Sequence, residues 1–317
     1  MLISNKRCKK ETTMFSKVFL VFNTACFGDN LICNSLCQNI KRIYPDSKIV
    51  FIADKPFYEA AKYQKDVDDV IIYDKKGKNK GIFGFLKFIS DFPYKNAYAA
   101  FITYKNMRNR FIAMLIGTKH IFESKKSNQN LPMQLQILSL LNKLTKAPLN
   151  NVAIKYNAGK ELPEHLKTYF KSDKNYIAFC TITKNPPKDM HVDTAIETIK
   201  KLSSKYKIIY TGAGEKAKNY SEQLKNNGCD FIDLTNKTSI KELASVLKNC
   251  SCLVTVDTGT MHLGCAVNVP TVAVFYEKTT IKNWAPDSDL YNIRVITENQ
   301  NADNIVVNVS KILKETL

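Results

Sequence analysis

Short apolar runs of β-type residues alternate with amphipathic helical patterns along both halves of this 317-residue chain. In the first half, residues 17–22, 48–52, 70–73 and 98–103 read as strands, separated by helical patterns at 31–43, 57–63 and 82–89. In the second half, strands at 176–181, 207–211, 231–234, 252–256 and 271–275 alternate with helices at 192–204, 215–225, 239–248 and from Met261 onward. Strands joined through helices run parallel, and a parallel sheet needs helices on both faces to cover it. The pattern lapses around 127–161, where a helix near 131–144 gives way to a polar stretch. The chain is also longer than one compact α/β domain usually is. The sequence therefore predicts an α/β protein with domains at 17–160 and 161–302. A basic arm at 1–16 precedes them, and an amphipathic helix at 303–317 packs back on the first domain.

Composition narrows the function classes. No apolar run approaches the roughly 20 residues that a membrane-spanning helix needs, and no signal-peptide core follows the basic first residues. The expectation is a soluble chain that is not secreted. The nine cysteines mostly sit in apolar elements without metal spacing, and the four histidines are scattered, which predicts reduced core thiols and no metal site. A formal net charge of +18 favours an anionic partner, be it a phosphorylated substrate, an acidic membrane surface or nucleic acid. No zinc finger, RNP-like aromatic pattern or helix-turn-helix accompanies the charge, which argues against nucleic acid. The lysine-rich loop at 75–81 reads as a solvated turn.

The most informative segment is VTVDTGTMHLGCAVNVPTVAVFY at 254–276, a strand, a tight turn, a helix and a strand. Such a turn exposes backbone N–H groups and the positive end of the helix, a setting for a pyrophosphate. Gly259 permits close backbone approach, Thr258 and Thr260 offer hydroxyl donors, and His262 lies on the first helical turn near the same anion. Asp257 either caps the helix or stiffens the loop. Near the start, VFNTACFGDNLIC runs a strand through Gly28 and Asp29 into a helix; Asp29 either caps that helix or faces a cleft as a proton acceptor. In CTITKNPPKDMHVD at 180–193, Thr183, Lys184 and Lys188 follow a strand, and either ammonium suits a diphosphate or plain solvent. TGAGEKAKNY from Thr211 puts Gly212 in a strand-to-helix turn and Glu215 where doubly wound folds bind a nucleoside. In TYKNMRNRF at 103–111, Lys105, Arg108 and Arg110 gather two of the five arginines, which suits an anion. No G-x-G-x-x-G follows the first strand of either domain, which argues against a nicotinamide oxidoreductase.

These motifs resemble glycosyltransferase family 9, the ADP-heptose:lipopolysaccharide heptosyltransferases. The resemblance rests on DTG at 257–259 with His262, Ala266, Pro270 and the VAVF strand, on the lead-in SIKELASVLKNCSCLVTV at 239–256, and on the early Gly28-Asp29. It implies GT-B architecture, two Rossmann-like doubly wound domains facing a central cleft. It further implies an inverting transfer, without metal or cofactor, of heptose from ADP-L-glycero-D-manno-heptose to the inner core of lipopolysaccharide, on Kdo-lipid A or heptosylated core. In that scheme Asp29 is the catalytic base, and Lys188, or Lys184 beside it, neutralises the departing diphosphate. Thr183, Lys184, Gly212, Glu215, Asp257, Thr258, Gly259, Thr260 and His262 bind the nucleotide sugar, and Lys105, Arg108 and Arg110 bind the phosphorylated acceptor. The implied location is the cytoplasm of a Gram-negative cell, peripheral at the inner face of the inner membrane. Two departures stand out: Met190 and His191 replace a tryptophan-proline pair, and Asn34 and Ser35 replace an apolar residue and proline. Two other functions remain open, a same-family transferase using a hexose or N-acetylhexosamine nucleotide and a non-catalytic nucleotide- or polyanion-binding protein.

Overall fold

The computed structural model describes residues 17–124, 131–159, 161–171 and 175–316; the basic arm at 1–16 lies outside the described residues. The first sheet is formed by β1 (Lys17–Asn23), β2 (Ser47–Ala53), β3 (Asp69–Ile72), β4 (Ala99–Ile102) and β5 (His120–Glu123), all parallel in the order β3-β2-β1-β4-β5. Helices α1 (Phe27–Ile32), α2 (Asn34–Ile43), α3 (Tyr58–Lys62), α4 (Gly81–Ser90) and α5 (Met107–Leu115) connect its strands. Helices α6 (Met133–Leu138) and α7 (Glu164–Lys167) lead to the second sheet. That sheet contains β6 (Tyr176–Cys180), β7 (Lys207–Tyr210), β8 (Ile232–Asp233), β9 (Cys252–Val256), β10 (Thr271–Val274) and β11 (Ile293–Ile296), parallel in the order β11-β10-β9-β6-β7-β8. Its helices are α8 (Val192–Ser203), α9 (Glu215–Asn226), α10 (Ile240–Lys248), α11 (Gly259–Ala266), α12 (Lys278–Trp284) and α13 (Ala302–Thr316).

The two-residue period of a strand explains the layering. On β1, Phe19 and Val21 pack with Leu36 and Ile40 of α2, while Leu20 and Phe22 pack with Phe88 of α4 and Ile112 of α5. Each sheet reverses its winding beside its first strand, between β1 and β4 and between β6 and β9. Crevices at the carboxyl ends of strands open at such switch points.

Two expectations are corrected. The helix read at 31–43 is broken at Cys33, whose N–H turns back to the Asn30 carbonyl (3.3 Å) and whose thiol donates to the Asp29 carbonyl (3.1 Å). The terminal helix does not pack back on the first domain. Its apolar stripe, Ile305, Val309 and Ile312, is buried with Val254, Val272 and Val274 of the second sheet, because that sheet's exposed face lies immediately beside the helix's own start.

The connecting segment runs between the domains and is held by both. Asn39 and Gln38 of α2 donate to the carbonyls of Asn150 and Ala153 (2.9 and 2.8 Å), and Asn34 accepts the Lys155 N–H (2.8 Å). The departure at Asn34 thus serves this seam. From the other side, Tyr291 receives the Ile154 N–H (2.8 Å) and the Ala266 carbonyl accepts the Tyr156 N–H (3.1 Å). Glu59 of α3 further accepts the Lys241 N–H in the first turn of α10 (3.0 Å). The eight cysteines among the described residues are free thiols, and no described helix is long and apolar enough to cross a membrane.

Candidate active site

Three strand ends converge on a cleft of about 230 Å3 between the domains. The turn after β1 contributes Cys26 and, at the start of α1, Phe27, Gly28 and Asp29. The loop after β6 contributes Thr183, Lys184, Asn185 and Lys188, and the turn after β9 contributes Asp257, Thr258 and Gly259, with His262 and Trp284 beside them.

Asp29 sits on the first turn of α1, where its Oδ2 accepts the Cys26 N–H at 3.1 Å. Its Oδ1 meets no donor among the described residues. The capping role therefore falls to one oxygen and leaves the other open to the cleft. Burial raises the carboxyl pKa above its ordinary 3.8, against the Cys26 N–H and the positive charges of Lys184 and Lys188, which pull it down. A carboxylate made more basic in this way is a better proton acceptor. Asn23, at the end of β1, fixes the turn by donating to the Asp29 carbonyl (3.0 Å) and to Thr103 Oγ1 (2.9 Å).

Lys188 closes a 3-10 turn whose two prolines preset φ. Its Nζ lies 2.6 Å from Asp257 Oδ2, and both side chains are largely buried. Thr280 of α12 donates to the same carboxylate oxygen at 2.9 Å. Asp257 therefore stiffens the site by holding Lys188 at its wall, and the cap position of α11 belongs to Thr258. An ammonium carries three N–H donors, so the pair leaves two for another anion. The Thr258 side chain makes no cap bond, so the positive end of α11 is open where it meets the cleft.

Gly259 lines the cleft and also has a use that the sequence did not suggest. A Cβ there would overlap the Phe27 ring and stand 2.9 Å from Gly28 N, and a Cβ on Gly28 would stand 3.2 Å from Gly259 Cα. The close approach it permits is to the first domain, and the amino ends of α1 and α11 abut glycine to glycine. Thr260 is also reassigned: its hydroxyl faces the Cys180 thiol (3.6 Å) in the interior and does not line the cleft. His262 is buried, with its pKa pushed down to about 4 chiefly by desolvation, so it enters the site as a neutral imidazole and brings no positive charge. Its ring stands 6.3 Å from that of Trp284.

The remaining candidates divide. Lys184 lines the cleft and lies 4.9 Å from the Phe57 ring centroid. The Thr183 hydroxyl is used within its own loop, donating to the Asn185 carbonyl (2.6 Å). Gly212 and Glu215 do not line the cleft; Gly212 packs its turn against Ala217, and Glu215 is exposed at the start of α9. That loop still touches the site through Lys216, whose Nζ donates to the Thr183 carbonyl (3.0 Å). Lys105, Arg108 and Arg110 lie outside the cleft lining, exposed on the loop after β4 and on α5, with Arg110 paired to Glu123 at 3.2 Å. Thr280 and Trp284 were missed. Thr280 has no sequence signal, whereas Trp284 is the only tryptophan of the chain and was the cue available. Among the described residues no three His, Cys, Asp or Glu side chains converge as a metal site.

No curated protein matches the chain. Among solved structures, a family 9 glycosyl transferase from Veillonella parvula superposes with a TM-score of 0.82 at 16% identity, covering 94% of this chain and 98% of its own. ADP-heptose lps heptosyltransferase II of E. coli superposes at 0.75 with 15% identity, covering 95% and 99%. The E. coli heptosyltransferase WaaC, solved with ADP-2-deoxy-2-fluoro heptose, superposes at 0.68 with 17% identity, covering 95% and 100%. These likenesses establish the GT-B fold. The family model for glycosyltransferase family 9 (heptosyltransferase) matches residues 107–311, and with it the chain belongs to that family and is a glycosyltransferase.

Proposed function

We propose that the chain transfers heptose from ADP-L-glycero-D-manno-heptose to the inner core of lipopolysaccharide with inversion at the anomeric carbon. The observation that carries the reading is the cleft itself, with the open oxygen of Asp29 on one wall and Lys188, Asp257 and the amino end of α11 on the other. Asp29 takes the proton of the acceptor hydroxyl as that oxygen attacks, and the diphosphate leaves toward Lys188 and the first-turn N–H groups of α11, where its growing charge is met. The reading assigns no step to a metal or cofactor. Lys105, Arg108 and Arg110, on the same strand-end side of the first sheet as Asp29, suit the phosphates and acidic sugars of the acceptor. The relative solved with ADP-2-deoxy-2-fluoro heptose supports the choice of donor.

The test supplies ADP-heptose and UDP-N-acetylglucosamine separately, each with Kdo-lipid A or heptosylated core, and identifies products by mass spectrometry. Transfer from ADP-heptose that Asp29→Asn slows by about 10²–10⁴-fold is the expected result. Transfer from the other nucleotide alone would overturn the donor assignment, and nucleotide binding without transfer would overturn the reaction.

A further inference from the structure

Two helices on one face of the first sheet carry an apolar surface that nothing among the described residues covers. Among the described residues ten large hydrophobic side chains are exposed, and eight of them fall within residues 82–115, so the exposure is concentrated and not scattered. Helices α4 and α5 each bury one side on the sheet, through Phe88 and Ile112. Their outer sides would be polar on an ordinary solvated helix. Here α4 turns Ile82, Phe83 and Leu86 outward, with Phe83 85% exposed, and α5 turns out Met107, Phe111 and Met114. Tyr73 joins the two helices. Its ring lies 4.7 Å from that of Phe88, and its hydroxyl, buried, sits in the field of Arg108 at the start of α5. Contiguous apolar surface of this kind marks an interaction site.

Charge says what the partner is. Residues 75–119 contain ten lysines and arginines against one acid, Asp91, a net of +9 out of the chain's +18. Lys76, Lys78, Lys80 and Lys87 are exposed and form no ion pair among the described residues. Exposed apolar side chains with unpaired lysines in the same segment match the two layers of an anionic bilayer, acyl boundary and headgroups. The surface also borders the cleft. Asn109 of α5 donates to Thr24 Oγ1 (3.2 Å) and Lys75 donates to the Thr24 carbonyl (2.9 Å), five residues before Asp29.

We infer that the outer face of α4 and α5 docks on an anionic lipid bilayer and seats the first domain so that a lipid-anchored acceptor meets Asp29. The docking stands on the surface alone, while its use for the acceptor rests on the function proposed above. The test floats the full chain with vesicles of phosphatidylcholine alone or with about 30% phosphatidylglycerol. The wild type floats with the anionic vesicles and is released by salt of about 0.5 M. The double variant Phe83→Asp/Leu86→Asp partitions on the order of tenfold more weakly, with unchanged circular dichroism and unchanged ADP binding. It also loses transfer to an acceptor embedded in vesicles while keeping transfer to a delipidated acceptor. A wild type that ignores anionic vesicles, or a double variant that floats as well as the wild type, overturns the docking. A dimer in sedimentation velocity that the double variant abolishes would assign the face to a second copy and also overturn it. Flotation as expected with no transfer to either acceptor would leave the docking standing and sink the acceptor reading.

Discussion

Replacing His262 by glutamine removes a titration from the middle of the protein, and its effect on stability has a calculable sign and size. Burial lowers the imidazole pKa from 6.5 to about 4, Lys188 pushes it the same way, and Asp257 opposes. The unfolded chain therefore binds this proton more readily than the folded one. The stability held by the neutral imidazole is fully present above about pH 6.5 and is lost as pH falls toward about 4. At 1.36 kcal/mol per pKa unit the limiting loss is about 3 kcal/mol, and about 2 kcal/mol of it is lost between pH 8 and pH 5. Urea unfolding followed by far-ultraviolet circular dichroism, at several pH values for wild type and His262→Gln, measures the difference. Carboxyls with raised pKa values, Asp29 among them, change stability in the opposite direction, but they titrate in both proteins and cancel in the comparison. The wild type should lose about 2 kcal/mol more than the variant over that range. Parallel curves would refute the placement of a neutral imidazole behind the cleft.

Asp29→Asn should lower kcat by about 10²–10⁴-fold with donor affinity retained, and the acid limb of the wild-type kcat/KM profile should lie above the ordinary carboxylate value because burial raises this carboxyl. A limb at or below pH 3.8 would contradict that. Lys188→Met leaves Asp257 buried with only Thr280 as donor and should cost about 3 kcal/mol or somewhat more in thermal unfolding. Adding Asp257→Asn should recover most of that loss without restoring transfer; equal stability of the two single variants and the wild type would show the pair to be idle. Gly259→Ala should destabilise by about 1–3 kcal/mol in the same assay, since its methyl group meets the backbone of Gly28 and the Phe27 ring.

Much of the fold was legible because period and composition act locally. The run CLVTV was read at 252–256 and is β9, and the helix read at 239–248 is α10, capped by Ser239 with Glu242. Asp29 and the Asp257 turn were legible for the same reason, each lying between a buried strand and a helix start. What the sequence withheld depends on distant partners. The strand HIFE of β5 is short and only half buried, and it carries little signal. The contact between Gly28 and Gly259 joins residues more than two hundred positions apart, so a glycine in a phosphate-like turn gave no sign that it also meets another helix. The burial of Thr260 and the neutrality of His262 follow from what surrounds α11, which no window of sequence contains. The terminal helix announced its apolar stripe but not the surface that would receive it.

The meeting of α1 and α11 ties two quantities that a hinged enzyme could otherwise vary separately. Because the proposed base rides on one helix and the proposed diphosphate anchor borders the other, any parting of the lobes would lengthen the path between proton acceptor and leaving group at the same moment. Substrate entry and chemical competence then share a single coordinate. In a molecule opened at this contact, water reaching a bound sugar nucleotide would lack the carboxylate of Asp29 as its base.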